Sequence, residues 1–410
     1  MKILIVADVA PDQVGGGGER VLRAQLRGLA DRGHAVTLLY RRGEGKPTEA
    51  GELLRGIQTL SYPVTRAHAA GFAFSSIARA WSCYRQLSAR EDFDVIIFHQ
   101  PFSALGVLLA AARDTPRKVY TFHSSAAEES QLRIGEDQLH PEGFRSKPRA
   151  SLLHQMEHFC LRHCDLVCVL SEFSRQKVQS RFRIPADRIA KIPGGVDTAR
   201  FYPIADRKAV RRRLSLPVDR PLLLSVRNLV NRMGLENLLL AMRPVVSFCP
   251  QVLLIIGGAG PLAGKLKGMT AQLGLADHVR FLGLISDIDL PCYYQTADFF
   301  ILPTRALEGF GLVTVEALAC GTPVLATPIG ATPELLGGLE KTLLFSGTAP
   351  EAIAQGIVTN LQRFAAEPQD YEALRQHCWT TVKARFGWER VIGQWEAELG
   401  KLVNHAVGRS

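Results

Sequence analysis

Short apolar runs alternate along the chain with stretches whose apolar positions recur every three or four residues. Runs at 2 to 7, 35 to 40, 94 to 99, 118 to 122 and 165 to 170 read as buried strands, and 19 to 32, 103 to 112, 150 to 163 and 172 to 181 carry helical periodicity. Such βα alternation predicts a parallel sheet wound by helices. Ile192-Pro193-Gly194-Gly195 breaks the pattern, and a second series follows. Its strands are expected at 221 to 226, 251 to 257, 278 to 282, 297 to 302 and 323 to 327, with helices at 234 to 247, 261 to 273, 287 to 295 and 311 to 320. Helical patterns at 350 to 365, 370 to 385 and 388 to 403 close the chain.

The expected fold class is therefore α/β, with two Rossmann-like doubly wound domains facing across a cleft at the carboxyl ends of both sheets. The linker is placed near 193 to 215, where Pro193, Gly194, Gly195, Pro203 and the charged run Arg207 to Arg213 punctuate the chain. This gives domains at 1–195 and 196–387, with a closing helix at 388–410 packing back on the first.

Composition narrows the setting. At 410 residues and 47% hydrophobic, the chain can fill two cores. Its eight cysteines form no CxxC pair and lie mostly in apolar surroundings, as buried thiols do in a reducing compartment. No apolar run reaches membrane-spanning length, and the first strand has no basic lead, so a cytoplasmic protein is expected. The net charge of +10 is concentrated early, with 28 basic against 21 acidic residues up to position 200. Residues 53–90 hold no acid yet carry Arg55, Arg66, Arg79, Arg85 and Arg90. Within them Phe74, Ile77, Trp81 and Tyr84 share a helical face, which fits either a peripheral helix on an anionic inner membrane surface or a core-packing face. Nucleic acid is not expected as a partner, because the basic residues are dispersed and no stacking module is visible.

The candidate chemistry centres on Glu308. A buried strand ending at Leu302-Pro303 leads into Glu308-Gly309-Phe310-Gly311 and a helix stopped by Gly321-Thr322-Pro323. The loop thus lies at a strand's carboxyl end, before a helix whose first N–H groups are unpaired, and a diphosphate can rest there. Gly309 and Gly311 let backbone approach a ligand. Glu316 sits on an otherwise apolar helix, where a carboxylate needs a partner such as a vicinal diol or a structural group.

Glu308, seven residues, then Glu316 resemble the E-x7-E motif of retaining glycosyltransferases of family 4, the glycosyl transferases group 1. Pro303-Thr304, Gly309-Phe310-Gly311 and Glu316-Ala317-Leu318-Ala319-Cys320-Gly321-Thr322-Pro323-Val324 follow the same pattern. So do the Gly-rich loop after the first strand, Ile192 to Asp197 with Phe201, Gly257 to Pro261, and Val279 to Gly283. The resemblance implies a GT-B fold and transfer of a hexose-type sugar from a nucleotide diphosphate sugar, UDP- or GDP-linked, to a glycan, lipid or small-molecule acceptor. It further implies retention of configuration, no metal and no cofactor. It assigns Glu308 to the donor sugar, Glu316 to the ribose, and the amides from Phe310 to Val313, Leu312 among them, to sugar hydroxyls and phosphates.

The family's basic pair is displaced here, with Asn228 and Met233 at the usual Arg and Lys positions. Arg227 and Arg232, one residue earlier each and five apart, are the candidates to meet the diphosphate. In the first domain, Gly16 and Gly17 of the loop Gly15-Gly16-Gly17-Gly18 can cradle a phosphate or admit an acceptor. His123 ends a strand at a carboxyl edge and can bond a sugar hydroxyl or the acceptor; His99 is placed similarly. His154, Glu157 and His158 match H-x-x-E-H, a zinc spacing that also arises on an amphipathic helix. Gly258-Ala259-Gly260 with Gly264 lacks the third glycine and acid of a dinucleotide fingerprint, so NAD is not expected. The displaced basic pair keeps open a sugar-nucleotide binder with weak or no turnover, and the shared architecture keeps open a nucleotide-sugar epimerase.

Overall fold

The structure is a computed structural model that describes residues 1–11, 16–42, 54–64, 69–111, 116–134 and 146–407. The chain divides into two compact units, Met1–Gly194 with Trp388–Ser410, and Gly195–Gly387.

The first unit is built on seven strands, β1 (Lys2–Ala7), β2 (Ala35–Arg41), β3 (Gln58–Tyr62), β4 (Val95–Phe98), β5 (Arg117–Phe122), β6 (Leu166–Val169) and β7 (Ile189–Lys191). They form one parallel sheet in the order β3-β2-β1-β4-β5-β6-β7. β1 is buried on both faces from Ile3 to Ala7, which is why it is written as a continuous apolar run rather than an alternation. The edge strands β3 and β7 have no such run, and the sequence pattern does not announce them. Strand order reverses between β1 and β4, so the ends of these strands open on the topological switch point where α/β sheets place ligands.

The helix Trp388–Val407 belongs to this unit, with Val391, Ile392, Trp395 and Leu399 buried among Leu22, Leu26 and Leu29 of the helix Gly17–Asp31. Burying each such aliphatic side chain contributes about 1.5–3 kcal/mol. Arg32 Nη1 pairs with Glu396 at 2.8 Å on the rim of this contact.

The second unit is built on β8 (Leu222–Val226), β9 (Leu253–Gly257), β10 (Val279–Gly283), β11 (Phe299–Leu302) and β12 (Val324–Ala326). Their parallel order is β10-β9-β8-β11-β12, with the reversal between β8 and β11. The run Arg207 to Arg213, read from sequence as linker punctuation, is instead a helix of this unit, N-capped by Asp206. Two of its arginines reach inward: Asp298, at the foot of β11, accepts from Arg207 Nη2 at 2.7 Å, from Arg211 Nη2 at 2.9 Å and from the Leu222 N–H at 2.7 Å. One buried carboxylate thus ties that helix to two neighbouring strands.

Candidate functional site

In the second unit the residues that follow β8 and β11 meet at the switch point. Arg227 continues β8 into the interior, and Thr304 to Gly311 continue β11. Arg227 Nη2 donates to Glu308 Oε2 at 2.7 Å, and Thr304 Oγ1 donates to the same oxygen at 3.0 Å. Both members of the ion pair are buried, with side chains 4% and 10% exposed. Glu308 Oε1 accepts no hydrogen bond among the described residues and remains available. A buried carboxylate is tolerable here because pairing with the guanidinium offsets the cost of its desolvation. Met233 packs its Sδ against the same guanidinium, 2.7 Å from Nη2. Nη1 of Arg227 is buried without a partner.

The loop carrying Glu308 is fixed from several sides. Leu307 adopts a left-handed backbone, φ 58°, uncommon for a branched residue and the kind of strain that clusters at binding sites. Its carbonyl accepts from Arg232 Nη1 at 3.1 Å, and the Arg232 carbonyl accepts from the Arg305 N–H at 2.8 Å. The Glu308 carbonyl accepts from the Ala331 N–H at 2.9 Å. A Cβ at Gly330 would lie 2.1 Å from that carbonyl oxygen, so only glycine permits the approach. Gly311 has φ 91°, and a Cβ there would intrude between Thr314 Oγ1 at 3.1 Å and Glu308 Oε1 at 3.5 Å.

The helix Leu312–Ala319 starts at this glycine. The N–H groups of Phe310, Gly311, Leu312 and Val313 donate no hydrogen bond among the described residues, which leaves a row of donors at the positive end of the helix. Glu316 is buried farther along and accepts from the hydroxyl of the fully buried Tyr294 at 3.2 Å.

Both arginines proposed from sequence to meet a diphosphate are therefore turned to the Glu308 loop, Arg227 onto the carboxylate and Arg232 onto the Leu307 carbonyl. Asn228 is exposed and Met233 buried. Thr304 was noted in the sequence only as part of the family pattern beside Pro303, and Tyr294 was not singled out at all. Tyr294 lies 22 residues before its partner with no spacing to reveal it.

In the first unit Gly16 is the N-cap of the helix Gly17–Asp31 in extended conformation, and Gly15 lies outside the described residues. Gly18 approaches His123, its Cβ position 4.0 Å from Cδ2. His123, beyond β5, contacts His99, beyond β4, through His123 Nε2 and His99 Nδ1 at 3.0 Å, and the rings stack at 5.2 Å. Burial lowers the pKa of His123 to about 4. His99 is pushed well below the ordinary imidazole range by burial and by His123. Asp8, which the sequence reading passed over, accepts from the N–H groups of Phe102 and Ser103 at 3.1 and 3.0 Å. It anchors the helix Pro101–Ala110 at the same switch point.

Two sequence readings take a different form. The H-x-x-E-H spacing assembles no donor set, because the buried Glu157 accepts from the Ala126 N–H and Ser125 Oγ, and His154 and His158 stack beside Phe182. Burial raises the pKa of Glu157 to about 8. Among the described residues no group of three His, Cys, Asp or Glu side chains is placed to hold a metal ion. The stripe on the helix Ala69–Ser88 is divided: Tyr84 is buried with Ala80 and Leu87, while Phe74 is 76% and Trp81 41% exposed. Arg85 stacks on Trp81, 5.3 Å from its centroid, and Arg66 lies outside the described residues.

The family described as Glycosyltransferase Family 4 matches residues 15–200, and that described as Glycosyl transferases group 1 matches residues 206–367. The chain belongs to this group 1, family 4 type of glycosyltransferase. It is 36% identical over 253 residues to a GDP-mannose-dependent alpha-(1-6)-phosphatidylinositol monomannoside mannosyltransferase of Mycolicibacterium smegmatis, covering 60% of this chain and 63% of that protein. A second relative is the D-inositol 3-phosphate glycosyltransferase of Corynebacterium glutamicum, 27% identical over 328 residues, covering 78% of this chain and 74% of that one. The match spans less than two thirds of the length of the mannosyltransferase.

Among solved structures, sucrose-phosphate synthase from Thermosynechococcus elongatus superposes with a TM-score of 0.81 at 24% identity over 100% of both chains. Anabaena HepE in complex with UDP superposes at 0.73 and 19% identity over 98% of this chain and 100% of that one. The fold is GT-B.

Proposed function

We propose that the protein is a retaining, metal-independent glycosyltransferase that moves a hexose from a nucleotide diphosphate sugar, with GDP-mannose as the first donor to test. The observation that carries this reading is the Glu308 carboxylate. Arg227 and Thr304 hold one of its oxygens while the other stays open beside four unpaired backbone N–H groups at a helix start. That combination suits one sugar bearing hydroxyls and a diphosphate, since the carboxylate accepts from hydroxyls and the amides donate to phosphate oxygens. Glu316 is proposed as the ribose partner, its carboxylate oriented by Tyr294. With Arg227 committed to Glu308, the leaving diphosphate relies chiefly on the helix amides, and Arg227 acts by holding the Glu308 carboxylate in place. Gly16, Gly17 and His123 are proposed to meet sugar or acceptor groups. The work of catalysis is positioning and stabilising the departing charge rather than forming a bond to the protein.

The GDP-mannose preference draws on the donor named for the Mycolicibacterium smegmatis relative. Thermal stabilisation by GDP-mannose, UDP-glucose and ADP-glucose is the test, followed by transfer assays and anomer analysis with any hit. One donor at 100 times its Kd is expected to stabilise by about 2.7 kcal/mol. No stabilisation by any of them, or an inverted product, would overturn the reading.

A lipid-linked acceptor at an anionic membrane surface is proposed from the helix Ala69–Ser88, whose exposed Phe74 and Trp81 are flanked by Arg79 and Arg85 with no acid on the helix. No helix among the described residues is long and apolar enough to cross a membrane. Flotation with vesicles containing anionic lipid is expected for the native protein and reduced in Phe74→Ser/Trp81→Ser. Equal recovery of both proteins, or flotation with neutral vesicles alone, counts against it.

A further inference from the structure

His99 lies inside the first unit, 2% exposed, between two side chains from other elements. Its Nε2 is 2.7 Å from Gln25 Oε1, and its Nδ1 is 3.0 Å from His123 Nε2. Gln25 is itself buried on the helix Gly17–Asp31. The three side chains thus form a continuous hydrogen-bonded chain from the core to the carboxyl end of β5.

The direction of that chain follows from its inner end. A carbonyl oxygen only accepts, so His99 Nε2 must carry the hydrogen. A neutral imidazole has one N–H, so His99 Nδ1 is bare and accepts. His123 Nε2 then donates, and His123 Nδ1, which makes no hydrogen bond among the described residues, keeps its lone pair. Burial holds both rings neutral at pH 7, and the other ring is the one titratable group whose charge bears on His99. Gln25 itself is uncharged.

We infer that Gln25 and His99 are positioning residues that lock His123 in its Nε2–H tautomer, so that Nδ1 is presented as a hydrogen-bond acceptor to a substrate hydroxyl. The inference rests on the proposed reading that His123 meets substrate. It excludes His123 as a proton donor to the leaving group at neutral pH, because the only proton on the ring points into the protein.

The decisive measurement is a long-range 1H–15N spectrum of the protein labelled at histidine, with His123 assigned by its loss in His123→Gln. At pH 7 the wild-type signal is expected to show a protonated Nε2 and a bare Nδ1. A protonated Nδ1, which would mean that the Gln25 amide turns its NH2 to His99, overturns the inference. In Gln25→Leu the His123 signals are expected to average between tautomers, and kcat to fall about three- to tenfold, the equivalent of one lost hydrogen bond, with donor KM unchanged. Gln25→Glu, still an acceptor, should keep both the tautomer and the rate, while moving the acid limb of the pH profile upward because a carboxylate favours His99 protonation.

Loss confined to transfer, with donor hydrolysis intact, assigns the hydroxyl to the acceptor. Equal loss in both assigns it to the donor sugar. Full activity of His123→Gln would instead remove the functional reading and leave the tautomer result standing.

Discussion

Glu308→Ala is expected to cost the protein both its activity and much of its stability, and the two losses separate its two roles. Transfer should fall on the order of 10²-fold or more, as when one preorganised polar contact to a reacting group is removed. Stability should fall because Arg227, 4% exposed at its side chain, is left as a buried charge whose remaining neighbour is a thioether. Breaking a buried pair from one side costs about 3–5 kcal/mol. For a unit the size of Gly195–Gly387, that lowers the melting temperature by on the order of 10 °C.

The companion variant, Glu308→Leu with Arg227→Met, should recover most of the stability, since an apolar pair can replace a buried ion pair at little cost, and none of the activity. Melting temperature and donor turnover measured on the single and double variants decide the matter. A single variant that melts with the native protein would show that the ion pair does not hold the loop.

The second large effect is expected at Asp298→Ala, at the opposite end of β11 from the Glu308 loop. This carboxylate receives Arg207, Arg211 and the Leu222 N–H at 2.7 to 2.9 Å, and its side chain is 5% exposed. Truncation strands Arg211, itself 6% exposed, with only carbonyl acceptors such as Thr296 O at 2.8 Å. A loss of about 3–5 kcal/mol is expected, read as a lower urea midpoint with an unchanged slope. Donor affinity per folded molecule should be intact. An unchanged midpoint would mean that the carbonyl acceptors suffice.

These two clusters show what the sequence does and does not make legible. The five strands of the second unit were all anticipated; β9 and β11, covered on both faces, are written as apolar runs. β3 and β7 were not, since an edge strand such as Gln58-Thr-Leu-Ser-Tyr62 buries little. The run Arg207 to Arg213 looked like a solvated linker because charge alone does not reveal a partner 87 residues away. At the site, the loop and its two acids were legible from glycine placement and spacing. The targets of Arg227 and Arg232 were not, because a one-residue displacement redirects a side chain and only the fold shows where. Gln25 escaped notice for the same reason, as one polar position on an otherwise core-facing stripe.

The helix Trp388–Val407 has a further consequence, for biosynthesis. Its Trp395 and Leu399 complete the core of a unit whose other residues end at Gly194, so the second unit is an insertion within the first. Residues 195–387 can close their own core as soon as they emerge from the ribosome, whereas the first unit waits with an uncovered hydrophobic face until the helix Trp388–Val407 is made. The domain synthesised first is thus the one that finishes last, and a stop between Gly387 and Val391 would leave a normally folded second unit attached to an aggregation-prone first.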